Sequence, residues 1–322
     1  MLIRLLCNGC RKYSVKEHEQ NHIFDSFPFI IDGGLATQLE SSGFNLNNNL
    51  WSAKLLLENP DAIVDAHLAY LNAGAKCIIS ASYQASIQGF IDLGLTLAEA
   101  ESTIKSSVEL ARKAVDKYME INPTHVKPIV AASIGPYGAY LADGSEYTGD
   151  YQISDNELFQ FHQRRLHLLA STSADILACE TIPNEQEALI LSDLIAAQTK
   201  PAWMSFSCSD EKHISSGSLI KDVADKLQSN QNIIAIGINC TSPQFIESLI
   251  LELKPVTTKH IVVYPNSGEC FHADTKTWHG TADPIECAVA AKSWANNGAD
   301  IIGGCCRMGP AHIKAIVKNL LK

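Results

Sequence analysis

The chain has 322 residues, 46% of them hydrophobic, and a formal net charge of −10. That length exceeds an ordinary single-core domain but suits a barrel of alternating strands and helices. The acidic balance and the scattered lysines and arginines argue against nucleic acid or an anionic membrane surface as a partner, and no apolar stretch is long enough to span a bilayer.

In chain order, residues 1–22 come first and are expected to form a loosely ordered arm. Leu2–Leu6 is too short for a signal-peptide core and is followed by charge. Cys7-x2-Cys10 has the spacing of half a zinc site, with no second half nearby. Residues 23–322 read as one domain.

From Phe29 onward the pattern is strand, loop, helix, repeated. The first strand, Phe29–Ile31, ends in Asp32-Gly33-Gly34. Asn59 caps a helix with Pro60 at its first position and Gly74 as its stop. Lys76–Ser80 is the second strand. Thr96-x-x-Glu99 is a capping box that opens a helix to about Tyr118, and Pro128–Ser133 is the third strand. A second box, Ser154-x-x-Glu157, opens a helix ending near Ser173, followed by the fourth strand, Asp175–Cys179. A helix over 185–198 leads to the fifth strand, Ala202–Phe206, and a helix over 219–228 to the sixth, Ile233–Ile238. Pro243 starts the next helix, and Ile261–Tyr264 is the seventh strand. A helix over 284–296 stops at Gly298, Asp300–Ile302 is the eighth strand, and Pro310 opens the last helix.

Strands apolar on both faces, alternating with amphipathic helices, imply a buried parallel sheet. Eight such units predict a single α/β barrel of the (β/α)8, TIM type. A doubly wound sheet is the competitor, but Asp32-Gly33-Gly34-Leu35-Ala36 lacks its phosphate-binding fingerprint. Long connections over 83–95, 136–153 and 266–283 all follow strands, which puts them on the face where barrel active sites form.

Ten cysteines in a small secreted chain would suggest a disulfide framework. Here Cys77, Cys179 and Cys287 sit inside apolar elements, where a reduced cysteine acts as a small hydrophobe, so a reducing, cytoplasmic setting is expected. Three others stand at strand ends. Cys240 follows Gly237-Ile238-Asn239, and Cys305-Cys306 follow Gly303-Gly304. The sixth and eighth strands flank the seventh on one rim, so these sulfurs can converge. Three soft thiolates suit zinc and leave a fourth tetrahedral position open. Two adjacent cysteines reach one metal only where the strand has ended, and glycines at 303 and 304 permit a turn there.

A zinc on three thiolates carries excess negative charge, which favours a sulfur nucleophile over activated water. Holding a thiol of pKa near 8.5 as its thiolate at pH 7 is worth roughly 2 kcal/mol. Asp32 and Glu180, at strand ends, could bind an ammonium group, and the Gly33 and Gly34 N–H groups a carboxylate. Tyr83, Tyr137, Trp203, Phe206 and Trp278 are candidate aromatic faces for a cation. A zinc hydrolase would show histidines at strand ends, whereas His67, His162 and His167 lie in helices. A purely structural zinc would need a fourth ligand, with Cys208 and Cys270 available.

The chain resembles the homocysteine S-methyltransferase family. Asp32-Gly33-Gly34, Glu180-Thr181-Ile182-Pro183-Asn184, Gly237-Ile238-Asn239-Cys240, Tyr264-Pro265-Asn266-Ser267-Gly268-Glu269 and Gly303-Gly304-Cys305-Cys306-Arg307 match its motifs in order over about residues 29–320. The resemblance implies a zinc-bearing barrel that methylates homocysteine to methionine, with Cys240, Cys305 and Cys306 as ligands and Asp32 and Glu180 near the substrate amino group. The full expected substrate-binding set is Asp32, Gly33, Gly34, Tyr83, Glu180, Asn239 and Ser267. The betaine-using branch resembles this chain but carries a long C-terminal extension and a tyrosine where Thr181 stands. Cobalamin-dependent methionine synthases resemble it only in their first module. The branch using sulfonium donors, S-methylmethionine and S-adenosylmethionine, remains. A selenocysteine methyltransferase shares the motifs. The expected partners are small molecules, and the expected state is a monomer or small homo-oligomer.

Overall fold

The computed structural model describes residues 23–46, 51–272, 277–279 and 282–321. The predicted arm, with Cys7 and Cys10, lies outside the described residues, as do the side chains of Cys270 and Trp278.

Eight parallel strands form one sheet: β1 (Phe29–Ile30), β2 (Cys77–Ile79), β3 (Ile129–Ile134), β4 (Ile176–Ile182), β5 (Ala202–Phe206), β6 (Ile233–Asn239), β7 (His260–Tyr264) and β10 (Ile301–Ile302). β1 pairs with β10, and β10 with β7, in register at Ile301–Val262. A parallel bridge between Ile31 and Cys77 joins β1 to β2 and completes the circuit. β8 (Cys270–His272) and β9 (Thr277–His279) form a separate antiparallel hairpin in the loop after β7. The fold is a (β/α)8 barrel.

Local chemistry sets the helices. Asn59 accepts the Ala62 N–H and Gly74 closes that helix at φ 103°, a left-handed angle suited to glycine. Both capping boxes form, opening helices Leu97–Ile121 and Asp155–Ala170. Asp175 and Asp300, which precede strands, accept the second N–H of the neighbouring strand: Val130 at 2.7 Å and Ile261 at 3.0 Å. Those bonds account for the recurring Ala-Asp junctions in the sequence.

Two apolar layers hold the barrel. Between sheet and helices lie residues such as Ile78, Val130, Leu177, Met204, Ile236 and Val263. Inside it pack Phe29, Ile31, Ala178, Trp203, Val262 and Tyr264. Phe24 seals the N-terminal end edge-on against Phe29, ring centroids 5.0 Å apart. Among the described residues no helix is long and apolar enough to cross a membrane.

Some boundaries depart from the sequence reading. The fourth strand runs to Ile182, so Glu180 lies within it. Its register with β5 shifts between Cys179 and Ile182, and Thr181 adopts φ 60°. The long connections after β2 and β3 contain short helices over Ile87–Asp92 and Tyr137–Leu141 and a 3-10 turn over Ser145–Tyr147.

Candidate metal centre and substrate pocket

At the C-terminal rim the ends of β6 and β10 bring three cysteines together. Cys240 is one residue beyond β6, and Cys305 and Cys306 lie in the turn beyond β10. The turn is fixed by backbone bonds: Gly303 N–H to Val263 O, Gly304 N–H to Asp32 O and Cys305 N–H to Pro265 O at 2.8–3.0 Å. The three Sγ atoms lie within 4.8 Å of one another, and among the described residues no other such group of three potential ligands exists. Cys240 Sγ and Cys306 Sγ are 3.7 Å apart.

Cys240 and Cys305 also approach closely, their Cα atoms 5.5 Å apart. Sulfurs clustered this closely can bond to one another or share a cation; reduction frees the full donor set. Burial pushes the Cys306 thiol up to about 11, so at neutral pH it needs a cation beside it to ionise. A trio of sulfurs without oxygen or nitrogen partners fits a soft divalent metal.

The glycines serve differently from the expectation. Neither Gly303 nor Gly304 has a positive φ. What they provide is room: a Cβ on Gly303 would meet Ile31 Cγ1 at 2.4 Å, and one on Gly304 would meet Met308 Cβ at 2.5 Å. Gly33 and Gly34 are likewise pressed against the Met308 and Cys305 carbonyls, at 2.2 and 2.5 Å from a built Cβ. The Gly34 N–H already donates to Met308 O at 2.9 Å, which removes it from the proposed carboxylate cradle.

Gly33, Gly34, Tyr83, Glu180, Asn239 and the three cysteines line one pocket. Asp32 and Ser267 do not. Asp32 lies buried beneath it; one oxygen accepts the Ile79 N–H at 2.8 Å and the other has no partner. Burial raises its pKa well above the carboxylate range, and neighbouring Glu180 adds to the shift. Ser267 instead donates its N–H to Cys306 O and its hydroxyl to Glu269, which also pairs with Arg307, tying the β7 loop to the cysteine turn.

Glu180 is the buried acid of the pocket. It accepts a short hydrogen bond from Ser133, yet burial outweighs it and lifts its pKa to about 7. Tyr264 is held from below by the Trp203 indole N–H, 3.0 Å away. Asn239 braces the strained neighbour: its amide oxygen accepts the Thr181 N–H and its NH2 donates to Thr181 Oγ1, both at 2.7 Å. Two amide bonds on one residue explain how a β-branched side chain stays in the left-handed region.

Of the candidate aromatics, Tyr83 faces the pocket. Trp203 and Phe206 are fully buried in the two core layers, and Tyr137 packs against Tyr140, Tyr151 and Phe161. Sequence reading missed Glu146 and Tyr147, which line the pocket from the long connection after β3. Tyr147 and the Cys306 thiol lie close enough to affect each other's pKa. That connection's position after a strand was the available signal; its lack of periodicity hid which residues turn inward.

A family model for homocysteine S-methyltransferase matches residues 29–320. The chain belongs to the homocysteine S-methyltransferase family. The homocysteine S-methyltransferase YbgG of Bacillus subtilis is 49% identical over 300 residues, spanning 92% of this chain and 95% of its own. A selenocysteine Se-methyltransferase of Brassica oleracea is 46% identical over 306 residues, 91% and 88% of the two chains. The crystal structure of the Escherichia coli homocysteine methyltransferase MmuM, in a form described as metallated, superposes with TM-score 0.81 at 43% identity over 89% of this chain and 94% of that one. A form of the same protein described as oxidized gives TM-score 0.83 at 43% identity over 90% and 95%.

Proposed function

We propose that this enzyme transfers a methyl group from a sulfonium donor, such as S-methylmethionine, to the thiolate of L-homocysteine, giving methionine. The observation that carries the reading is the three-sulfur cluster at the rim, with buried acids beside it. Cys240, Cys305 and Cys306 would hold zinc, which when bound favours an incoming thiol as its thiolate.

The chain's own residues then bind and orient. Glu180 and Asp32 are two buried carboxyls whose anions are destabilised by desolvation. A substrate ammonium relieves that penalty, which places the amino group of homocysteine at Glu180, with Asp32 reinforcing the negative field from below. Asn239 and Thr181 fix the backbone beside Glu180, and Ser267 steadies the cysteine turn. In the transfer the acceptor sulfur supplies an electron pair to the methyl carbon as the donor's C–S bond breaks onto the sulfonium sulfur. No proton moves in that step, so positioning and water exclusion are what the protein supplies. S-methylmethionine would therefore yield two methionines per turnover.

The branch rests on Thr181, which stands where the betaine-using branch has tyrosine. A donor panel tests it: homocysteine with S-methylmethionine, S-adenosylmethionine, betaine or methylfolate, scored for methionine. Sulfonium turnover is expected; turnover with betaine alone overturns the reading. The selenocysteine methyltransferase among the relatives supports a second acceptor, and competition between homocysteine and selenocysteine decides the preference.

A further inference from the structure

We propose that Glu146 recognises the positive sulfur of the methyl donor and selects charged donors over neutral ones of the same shape. This assignment rests on the sulfonium reading given above and extends it to a named residue.

Glu146 sits in the 3-10 turn Ser145–Tyr147, entered through Gly144 at φ 89°. It is 7% exposed, and its Oε2 is buried with no hydrogen-bond partner. Among the described residues no lysine, arginine or histidine pairs with it. A buried carboxylate lacking a cation is costly, and its neighbours would be expected to supply one. Here the neighbours are the pocket itself, Tyr83, Tyr147 and Cys306, each of which feels its charge.

The carboxylate is held there by construction. Ser207 donates to the Glu146 carbonyl at 3.1 Å, and Gly149 N–H to Ser145 O at 2.7 Å. A Cβ on Gly138 would fall 2.5 Å from the Glu146 nitrogen, so the turn seats directly on the preceding helix. Asn184 pins the far side through Gly149 O at 3.2 Å.

The acids of the pocket divide into two groups. Glu180 bears on Asp32, and Glu146 on Cys306 and Tyr147, while Tyr83 stands between and feels both Glu180 and Glu146. The reaction brings two α-ammonium groups and one sulfonium; Glu180 with Asp32 suits the acceptor's ammonium, and Glu146 the sulfonium. A sulfonium has no N–H to donate, so it is recognised by bare negative charge and aromatic faces. An unbonded carboxylate oxygen with two tyrosines beside it offers both. Positive charge on the donor disperses as the methyl leaves, so Glu146 holds the ground state more strongly than the transition state. Its removal should raise donor KM with little loss of kcat.

The test is calorimetric binding to the zinc-loaded, reduced enzyme. The probes are S-methylmethionine and 2-amino-5-methylhexanoate, its isostere with carbon in place of the charged sulfur. The wild type is expected to favour the sulfonium by about tenfold or more. Glu146→Gln should shrink that ratio to about threefold or less while leaving isostere affinity and homocysteine KM within about twofold. Glu146→Asp, which keeps the charge at shorter reach, should fall between, and circular dichroism confirms the fold of each. A ratio unchanged in Glu146→Gln, or an equal loss for both ligands, overturns the assignment. Absence of any preference in the wild type overturns the sulfonium reading and this assignment with it.

Discussion

Glu180 shows how burial and function meet at one side chain. Its pKa is raised from 4.5 to about 7 by desolvation. In the unfolded chain it releases its proton near the ordinary value. Between those two values the folded protein binds the extra proton, so this residue's contribution to stability falls as pH rises through the window and is flat outside it. The full penalty is about 3 kcal/mol. Glu180→Gln removes it. In urea unfolding of the ligand-free protein, the variant should gain on the wild type steadily from pH 4.5 to about 7; a difference that does not change with pH would contradict the buried-acid picture. Glu180 was legible in the sequence because an acid directly after Leu177-Ala178-Cys179 has little structural purpose. Asn239 was legible only as part of a motif. Its two bonds to Thr181 depend on a strand irregularity that no local pattern announces. Asp32 and Ser267 were legible as candidates but not as to place, since burial beneath or beside a pocket is set by packing between distant segments.

The strand ends are the elements on which the site depends, and β6 is the tightest of them. Gly237 lies opposite Val262 in the ladder with β7, and a Cβ there would stand 1.7 Å from the Val262 carbonyl oxygen. Nothing flexible can yield, because that oxygen belongs to the sheet. Gly237→Ala should lose at least about 3 kcal/mol of stability. Gly94→Ala has open space around it and meets only the strain of φ 92°, so it should lose about 1 kcal/mol. Thermal unfolding of the two variants checks the contrast; equal losses would refute the steric account. At this scale the sequence was most readable where local rules operate. Helix starts at Asn59, Thr96 and Ser154 followed from side-chain capping. Strand ends were less readable, by one to three residues, because they end where tertiary contacts stop. The β8–β9 hairpin and the Ser145–Tyr147 turn carried no periodicity long enough to read.

The whole molecule is a closed ring in which sequence-distant segments become neighbours. Eight apolar runs separated by capped helices were enough to indicate the barrel, and closure through Ile31 and Cys77 places the first loop beside the last. That closure brings Gly33 and Gly34 against the Met308 and Cys305 carbonyls and the three sulfurs to one rim. That Cys240 and Cys305 share a rim was legible from their strand ends; how closely they approach was not, because the turn beyond β10 is set by bonds to Val263, Asp32 and Pro265. X-ray absorption at the zinc edge on reduced, zinc-loaded protein, before and after homocysteine, examines the arrangement directly. The expected first shell is about three sulfurs and one lighter atom, becoming four sulfurs when homocysteine is added. Four sulfurs before any substrate, or a shell that homocysteine leaves unchanged, would contradict it.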